Sequence, residues 1–475
     1  MIKNIIPANI KTEPIVFKMN DKVSTDLMIQ SFDFIPYVYM KKINDTINNP
    51  PIDGTNIDPR DIIYLKLHNS KFLPEIELFC YDSKGILFND LYPFDHDTLI
   101  CIFVKANSEN LMPIRMDFRL TSYETIKSDE RESFKYLIKG ILNVDELNYT
   151  RYESYKDTSY NTIKQIALNM NLGFTSNVQS SDDKMTWINP SETYINFIRD
   201  ITKYAFISED SFIWTFIDFY YNINYIDIQL ELNEFNKNEQ GAITSKLTER
   251  NPDEKNIPLY LTNNKAYSMT NIYISKFNLV NQSFKINLEK CYRMKSTWYN
   301  KNTNTVSRKY LKELETDQNK LGKGEGTLRQ LVDKTSKIYC ENINDEYFIG
   351  KFDTVDNVHP NYALAKLSNH WNLINMEKMK LVITLNQINF SIKRFQTLKI
   401  EIYNPNDLFS SDAKNKKPTD NINTRLSGYW YVTGINYIYK RSGGPEQEIT
   451  LSRRDLSINY GQGKSEKNDI RSITK

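Results

Sequence analysis

A chain of 475 residues with 40% hydrophobic and 13% aromatic content has more apolar material than a disordered polypeptide and more length than one core organises, so roughly three or four domains are expected. Its 61 Lys and Arg against 59 Asp and Glu leave a formal net charge of +2. That balance excludes a global electrostatic pull toward nucleic acid or an anionic membrane and leaves only local patches for such work.

The opening Met1-Ile-Lys-Asn-Ile-Ile-Pro7 lacks the apolar core of roughly 7–15 residues that a signal peptide needs. The densest apolar runs, Leu99 to Val104 and Phe212 to Ile217, fall far short of the ~20 residues that span a bilayer. Both suit buried strands, and no membrane insertion is expected. Cys80, Cys101, Cys291 and Cys340 form no CxxC pair and have no His at ligand spacing, so they read as isolated buried thiols. Synthesis and folding in a cytoplasm are the expectation that fits best.

Residues 1 to about 125 read as strands. Ile62–Leu67 and Ile76–Tyr81 are rich in β-branched and aromatic residues, and Asp82-Ser-Lys-Gly85 supplies turn chemistry before Ile86-Leu-Phe88. In Ile114–Leu120 apolar residues fall on every second position with charges between, the pattern of a strand with one wet face. A charged linker, Lys127 to Glu132, leads into mixed structure. Thr158 or Ser159 caps a helix carrying Ile163, Ile166, Ala167 and Met170, with Gly173 placed to end it. Asn189-Pro190 reads as a second helix start, followed by a face of Tyr194, Phe197, Ile198, Ile201 and Ala205. The chain then returns to β character over Phe212–Leu232, where Ile226, Ile228, Leu230 and Leu232 alternate with polar residues.

From about 233 to 358, polar stretches surround short strand-like pieces at Ile272–Phe277 and Phe284–Leu288, and the glycine-rich Lys320–Thr327 reads as a loop. A helix is expected over 359–378, with Ala363, Leu367, Trp371 and Ile374 on one stripe. Strands follow at 380–386, 395–403 and 429–439, the last pairing with Gln447–Leu451 through Arg441-Ser-Gly-Gly-Pro445.

Candidate chemistry is sparse. Gly322-Lys-Gly-Glu-Gly326 lacks the GK[ST] of a phosphate-binding loop, and Phe94-Asp-His-Asp97 places its polar groups in a turn where neighbours do not converge on one ion. His359 and His370, eleven positions apart, would sit about 16 Å from one another on a helix. Among carboxylates, Glu209-Asp210 stand out less than Asp218, which interrupts a strongly apolar segment; a hidden acid pair is one reading, and a buried aspartate bonded to backbone or to a neighbouring subunit is the favoured one. The aromatics Tyr220, Tyr221, Tyr429, Trp430, Tyr431, Tyr437 and Tyr439 cluster in strands without alternating basic residues, as core and subunit contacts do and base-stacking platforms do not. No catalytic, cofactor-binding or metal-binding residues are assigned, and no cofactor is expected. The fold class is α+β, mainly β and multidomain.

Three stretches carry a family resemblance: Trp187 to Ile228 (WINPSETYINFIRDITKYAFISEDSFIWTFIDFYYNINYIDI), His359 to Phe390 (HPNYALAKLSNHWNLINMEKMKLVITLNQINF) and Gly428 to Leu456 (GYWYVTGINYIYKRSGGPEQEITLSRRDL). In the last, W-x-V-x-x-I…L-x-R-R-D falls on Trp430, Val432, Ile435, Leu451, Arg453, Arg454 and Asp455. Together they resemble the central baseplate hub proteins of contractile-tailed, T-even-like bacteriophages. The resemblance implies two small antiparallel tube-type β-barrels with α+β insertions: residues 1–125 as the first barrel, 126–222 an α+β domain, 223–265 with 379–460 the second barrel, 266–378 an inserted peripheral domain and 461–475 a polar tail. It also implies a homotrimer in the virion's tail baseplate, assembled in the host cytoplasm, between a trimeric spike below and tail tube or tube-initiator proteins above. Baseplate wedge proteins would surround it, and DNA would pass through its channel without sequence-specific contact. The rival readings are a tail-associated cell-wall hydrolase and another tail structural protein such as a tube initiator.

Overall fold

The computed structural model describes residues 3–6, 35–42, 55–95, 97–105, 114–127, 134–209, 211–234, 243–244, 258–260, 266–268, 274–282, 285, 293–300, 304–310, 343–350, 358–376, 378–385, 388, 392–403, 423 and 426–453. Strands β1 (Lys3–Ile6), β2 (Ile35–Lys42), β3 (Thr55–Ile57), β4 (Ile62–Asn69) and β5 (Glu75–Asp82) come first, then helix α1 (Ile86–Asp90), β6 (Thr98–Lys105), β7 (Ile114–Lys127) and β8 (Phe134–Leu142). The strands expected at Ile62–Leu67 and Ile76–Tyr81 are β4 and β5, with Leu65, Leu67, Ile76, Leu78 and Cys80 buried while Lys66, His68, Glu75 and Glu77 are part-exposed. All but β1 pair antiparallel in the order β4-β5-β8-β7-β6-β2-β3. The first sheet thus runs past residue 125 to take in β8. Gly140 is required there, since a Cβ would stand 2.8 Å from the Arg119 carbonyl oxygen on β7.

Two local expectations change in this part. Ile86-Leu-Phe88 opens the short helix α1, because Gly85 turns with φ 67 and the Asp82 carboxylate accepts the amides of Leu87 (3.3 Å) and Phe88 (2.9 Å). On β7 the expected wet face keeps Arg119 part-exposed and Thr121 exposed, but Asp117 on that face is buried, where the Tyr221 hydroxyl accepts its amide at 3.0 Å.

An α+β unit follows: β9 (Thr150–Asp157), α2 (Ser159–Asn169), β10 (Gly173–Ser176), β11 (Met185–Thr193), α3 (Tyr194–Tyr204), β12 (Ile213–Ile217), β13 (Asn222–Asp227) and α4 (Ile228–Glu234). Its sheet has the order β1-β10-β13-β12, so β1 lies at the edge of this unit, with Lys3 opposite Ser176 and Ile6 opposite Phe174. Thr158 caps α2 through the Asn161 amide, but the left-handed residue beyond the helix is Asn171, with φ 56, and Gly173 begins β10. Asn189-Pro190 lies in β11. There Ser191 takes φ 81 in a bulge, and the cap of α3 is Thr193, which accepts the Asn196 amide. The predicted face of Tyr194, Phe197, Ile198, Ile201 and Ala205 is buried. The expected strand over Phe212–Leu232 ends at Asp227, whose carboxylate accepts the amides of Gln229 (3.0 Å) and Leu230 (3.4 Å) and so starts α4.

The remainder comprises β14 (Ile243–Thr244), β15 (Pro258–Tyr260), β16 (Ala266–Ser268), β17 (Ile274–Asn281), β18 (Arg293–Asn300), β19 (Thr305–Tyr310), β20 (Ile343–Gly350), α5 (Tyr362–Met376), β21 (Met379–Leu385), β22 (Thr397–Glu401), β23 (Gly428–Lys440) and β24 (Gly444–Arg453). β17, β21, β24 and β23 pair in that order, β22 lies against β23, and β14 against β22. β15 pairs with β16, and β18 lies between β19 and β20. The expected hairpin of residues 429–451 is present as β23–β24. Among the described residues neither module closes into a barrel; β23 instead pairs with β4, joining both into one 13-stranded sheet. One contiguous apolar core includes Leu67, Ile223 and Leu381, one from each part. The linker residues 128–132, most of Phe284–Leu288 and Lys320–Thr327 lie outside the described residues.

Asp227 gives a pH test of this packing. Burial pushes its carboxyl up to about 7 against the two capping amides. Folding therefore favours its protonated form, and the associated stability is present below the ordinary carboxylate value and is lost as pH rises toward about 7. Asp227→Asn keeps an acceptor oxygen and removes the charge. Thermal unfolding across this range is expected to show the variant gaining on the parent as pH rises, by on the order of 4 kcal/mol, with a constant difference above about 7.

Candidate assembly surface

β23 is long enough to serve two partners along one edge. Its first residues pair with β22 (Gly428 opposite Ile400, Tyr431 opposite Thr397), and its later ones with β4 (Ile435 opposite Asn69, Lys440 opposite Tyr64). Between these ladders the strand passes from one partner to the other, and its backbone groups need substitutes. The Val432 amide donates to the Gln396 carbonyl at 2.9 Å, and the Phe395 amide to the Val432 carbonyl at 2.6 Å. The Thr433 carbonyl accepts Nε of Arg394 at 2.8 Å.

The same guanidinium reaches the first module. Its Nη2 donates to the Ser70 carbonyl at 2.6 Å and its Nη1 to the Lys71 carbonyl, both in the β4–β5 loop. It also lies over the rings of Phe216 in β12 (4.8 Å) and Phe395 (5.0 Å). The adjacent Phe72 carbonyl accepts the Ile217 amide of β12 at 2.7 Å. Arg394, only 6% exposed, thus touches both sheet modules and the α+β unit. A planar fork with fixed donors suits several carbonyls from different elements better than a flexible ammonium does. Gly434 sits at the same place, where a Cβ would stand 3.1 Å from the Ser70 side chain.

The hairpin that carries the W-x-V…L-x-R pattern explains its own residues. Trp430 is fully buried and donates Nε1–H to the Leu426 carbonyl at 2.9 Å; Arg453 lies over its ring at 4.4 Å and donates to the Ser427 carbonyl at 3.2 Å.

On the face opposite the core, cross-strand neighbours form rows that continue from one module into the other. One row runs Lys139, Glu77, Lys66, Ile438 and Glu446; the next runs Glu75, His68, Asn436 and Glu448. Charges alternate and pair: Lys139 with Glu77 (3.9 Å), Lys66 across β23 with Glu448 (3.8 Å), and Lys440 with Glu446 (2.8 Å). The Tyr64 hydroxyl donates to Glu77, His68 Nδ1–H to Asn436, and Asn436 Nδ2 to Glu448 at 2.7 Å. Burial holds the His68 ring below the ordinary histidine value, with Lys66 adding to that effect. The result is a sign-balanced, hydrogen-bonded surface.

The residues weighed for chemistry fall elsewhere. Asp218 closes the β12–β13 turn: its carboxylate accepts the amides of Tyr220 (2.9 Å) and Asn222 (3.0 Å) and the side-chain amides of Asn222 and Asn224. Burial nevertheless raises its carboxyl above the ordinary value. Asp95 and Asp97 belong to a turn in which the Asp97 amide donates to Asp95 at 3.1 Å, and His96 lies outside the described residues. Glu209 is exposed; Asp210, Cys291, Cys340 and Gly322–Gly326 lie outside the described residues. Cys80 and Cys101 are buried thiols, and burial raises that of Cys80. His359 is buried ahead of α5 while His370 is exposed on it. Trp430, Tyr431, Tyr221 and Tyr437 are buried in the core, Tyr431 donating to the Ile228 carbonyl at 2.7 Å. Among the described residues no group of three or more His, Cys, Asp or Glu is placed to hold a metal ion, and no helix is long and apolar enough to cross a membrane. Arg394 escaped the sequence reading because two of its three carbonyl partners, Lys71 and Ser70, lie 323 and 324 positions away.

No protein-family model matches the chain, and no curated protein matches it in sequence. Solved structures similar to it include a tail protein from Neisseria meningitidis MC58, at 8% identity and TM-score 0.46, covering 88% of this chain and 96% of that one. Another is a 43 kDa tail protein of prophage MuSo2 from Shewanella oneidensis, at 8% identity and TM-score 0.48, covering 89% and 99% respectively. A third is a type VI secretion system component from E. coli, at 9% identity and TM-score 0.38, covering 85% and 76%.

The junction predicts an asymmetric response to substitution. Arg394→Met removes three donors from buried carbonyls and is expected to lose about 3–5 kcal/mol in urea unfolding, with Arg394→Lys recovering only part. Equal stability of Arg394→Met and the parent would show that the guanidinium does not hold the modules together.

Proposed function

We propose that the chain is a structural subunit of a contractile tail, the trimeric central hub of a baseplate that adapts a hexameric tail tube to a trimeric cell-puncturing spike. The observation that carries this is the junction itself: one polypeptide holds two sheet modules in fixed relation through β23, β4 and Arg394. Three copies then present six modules while keeping threefold symmetry. The sequence resemblance of Trp187–Ile228, His359–Phe390 and Gly428–Leu456 to hub proteins supports the same reading.

In this proposal the first tube-type module is built on the N-terminal sheet and the second on β21 to β24, with the α+β unit and the α5 region peripheral. The charge-paired rows suit a channel wall for DNA. Unpaired Lys or Arg there would exchange with counterions on the phosphates and hold DNA back, and here the lysines already have glutamate partners. The partners are the spike below, tube or tube-initiator proteins above and wedge proteins around, and the location is the virion's tail baseplate. The role is non-enzymatic: Asp218 is engaged by four donors of its own turn.

Two measurements test the reading. Light scattering of the purified chain is expected to give three times the 55.9 kDa chain mass, and electron microscopy a threefold ring with a central hole. A monomer releasing soluble fragments from peptidoglycan, with that release lost in Asp218→Asn, would replace it with the wall-hydrolase reading.

A further inference from the structure

Helix α5 is fastened to the α+β unit by side chains near its middle and by the titratable ring of His359 ahead of its start. Midway along it, Asn369 accepts the Ile213 amide at 2.8 Å and donates to the carbonyls of Thr202 (3.0 Å), Lys203 (3.3 Å) and Ala205 (2.9 Å) at the end of α3. Ahead of the helix, His359 accepts the Tyr362 amide on its own carbonyl at 3.1 Å, and its ring donates Nε2–H to the Tyr204 carbonyl at 2.9 Å. That carbonyl acceptor makes Nε2 the protonated nitrogen. Nδ1 is buried without a hydrogen-bond partner, and the residue is 1% exposed. Around it stand the rings of Trp187 (6.4 Å), Phe206 (6.4 Å) and Tyr362 (5.8 Å), while Tyr204 and Tyr362 stack at 3.8 Å.

We propose that His359 is an acid-sensitive latch: a second proton, taken up at Nδ1, releases the start of α5 from the end of α3 while the sheets remain folded. This is independent of the assembly reading.

The groups facing the ring decide the sign. From the loop before β11 come Asp182 and Asp183, from α3 the Tyr204 carbonyl, and from α5 the Tyr362 phenol, which burial keeps protonated. Lys203 and Asp200 pair with one another at 3.8 Å on the outer side of α3. The negative end of α3 and Asp183 both favour a charged imidazole. Asp183 is already occupied, however: one oxygen accepts the Ser159 amide (2.9 Å) and the Ser181 hydroxyl (2.7 Å), and the other the Phe206 amide (2.8 Å). Burial outweighs these attractions and holds the ring below its ordinary 6.5.

The docked state therefore has its full stability above the ordinary histidine value and loses it as pH falls below that value. Asp183 acts in the opposite sense, because burial raises its carboxyl and the docked form gains as pH falls. The two effects separate only by substituting one residue.

The test is hydrogen exchange of the full chain from about pH 7.5 down to about 5.5, corrected for intrinsic rates. Opening of residues 359–376 is expected to rise about tenfold per pH unit below 6.5 until the ring's own pKa is reached, with β4 and β23 unchanged. His359→Gln keeps an N–H donor without titrating and should flatten this dependence, while His370→Gln should keep it. Should His359→Gln not fold, carbon-13 histidine spectra of the parent decide. The signal that survives substitution of His68, His96 and His370 must titrate below 6.5 in step with α5 opening. The proposal is overturned if that ring titrates at or above 6.5, if α5 opening ignores pH, or if folded His359→Gln keeps the parent's slope.

Discussion

The structure depends on how β23 changes partners. A strand that pairs with β22 and then with β4 along the same edge has a gap where no ladder can continue, and buried carbonyls there need donors. Arg394 supplies them, and because its fork reaches Thr433, Ser70 and Lys71 at once, closing the gap also fixes the angle between two sheet modules. The rings of Phe216 and Phe395 under the guanidinium tie the α+β unit to the same point. A junction made of backbone groups and one planar side chain leaves little room for rotation between the modules.

The surface beyond the junction follows from the same continuity. Since β4, β23 and β24 belong to one sheet, charges on the two modules are cross-strand neighbours, and Lys66 of one pairs with Glu448 of the other. Half-exposed pairs of this kind contribute little to stability, typically about 0–1 kcal/mol each. Their effect is to leave a polar face on which Lys66, Lys139 and Lys440 each stand beside a glutamate. The acids Asp82, Asp218 and Asp227 have a separate role: each accepts backbone amides at the start of a helix or turn.

Much of the local structure was legible in the sequence because its causes are local. Thr158 caps α2, the Tyr194 to Ala205 face is buried, and the 429–451 hairpin forms with the apolar residues of β24 inward. The misreadings share a cause as well. Pro190 looked like a helix start but occupies a bulged strand; Gly173 looked like a helix stop although Asn171 takes the left-handed position; and Ile228, Leu230 and Leu232 alternate like a strand yet follow an Asp227 cap. In each case a neighbouring side chain or a pairing strand decided between two states the local pattern allows equally.

By itself the sequence determined the class of the protein: enough apolar material for several β units, a balanced charge, and caps and alternation that place most elements within a few residues. The tertiary structure alone decided that β1 joins a sheet with β10, that β8 belongs to the first module, and that the two modules are one sheet instead of two closed barrels. It alone gave Arg394 and His359 their surroundings. The physical reason is range: capping and periodicity act over a turn or a strand pair, whereas carbonyls orphaned at a change of partners, and a ring nitrogen buried between two helices, exist only once distant segments meet.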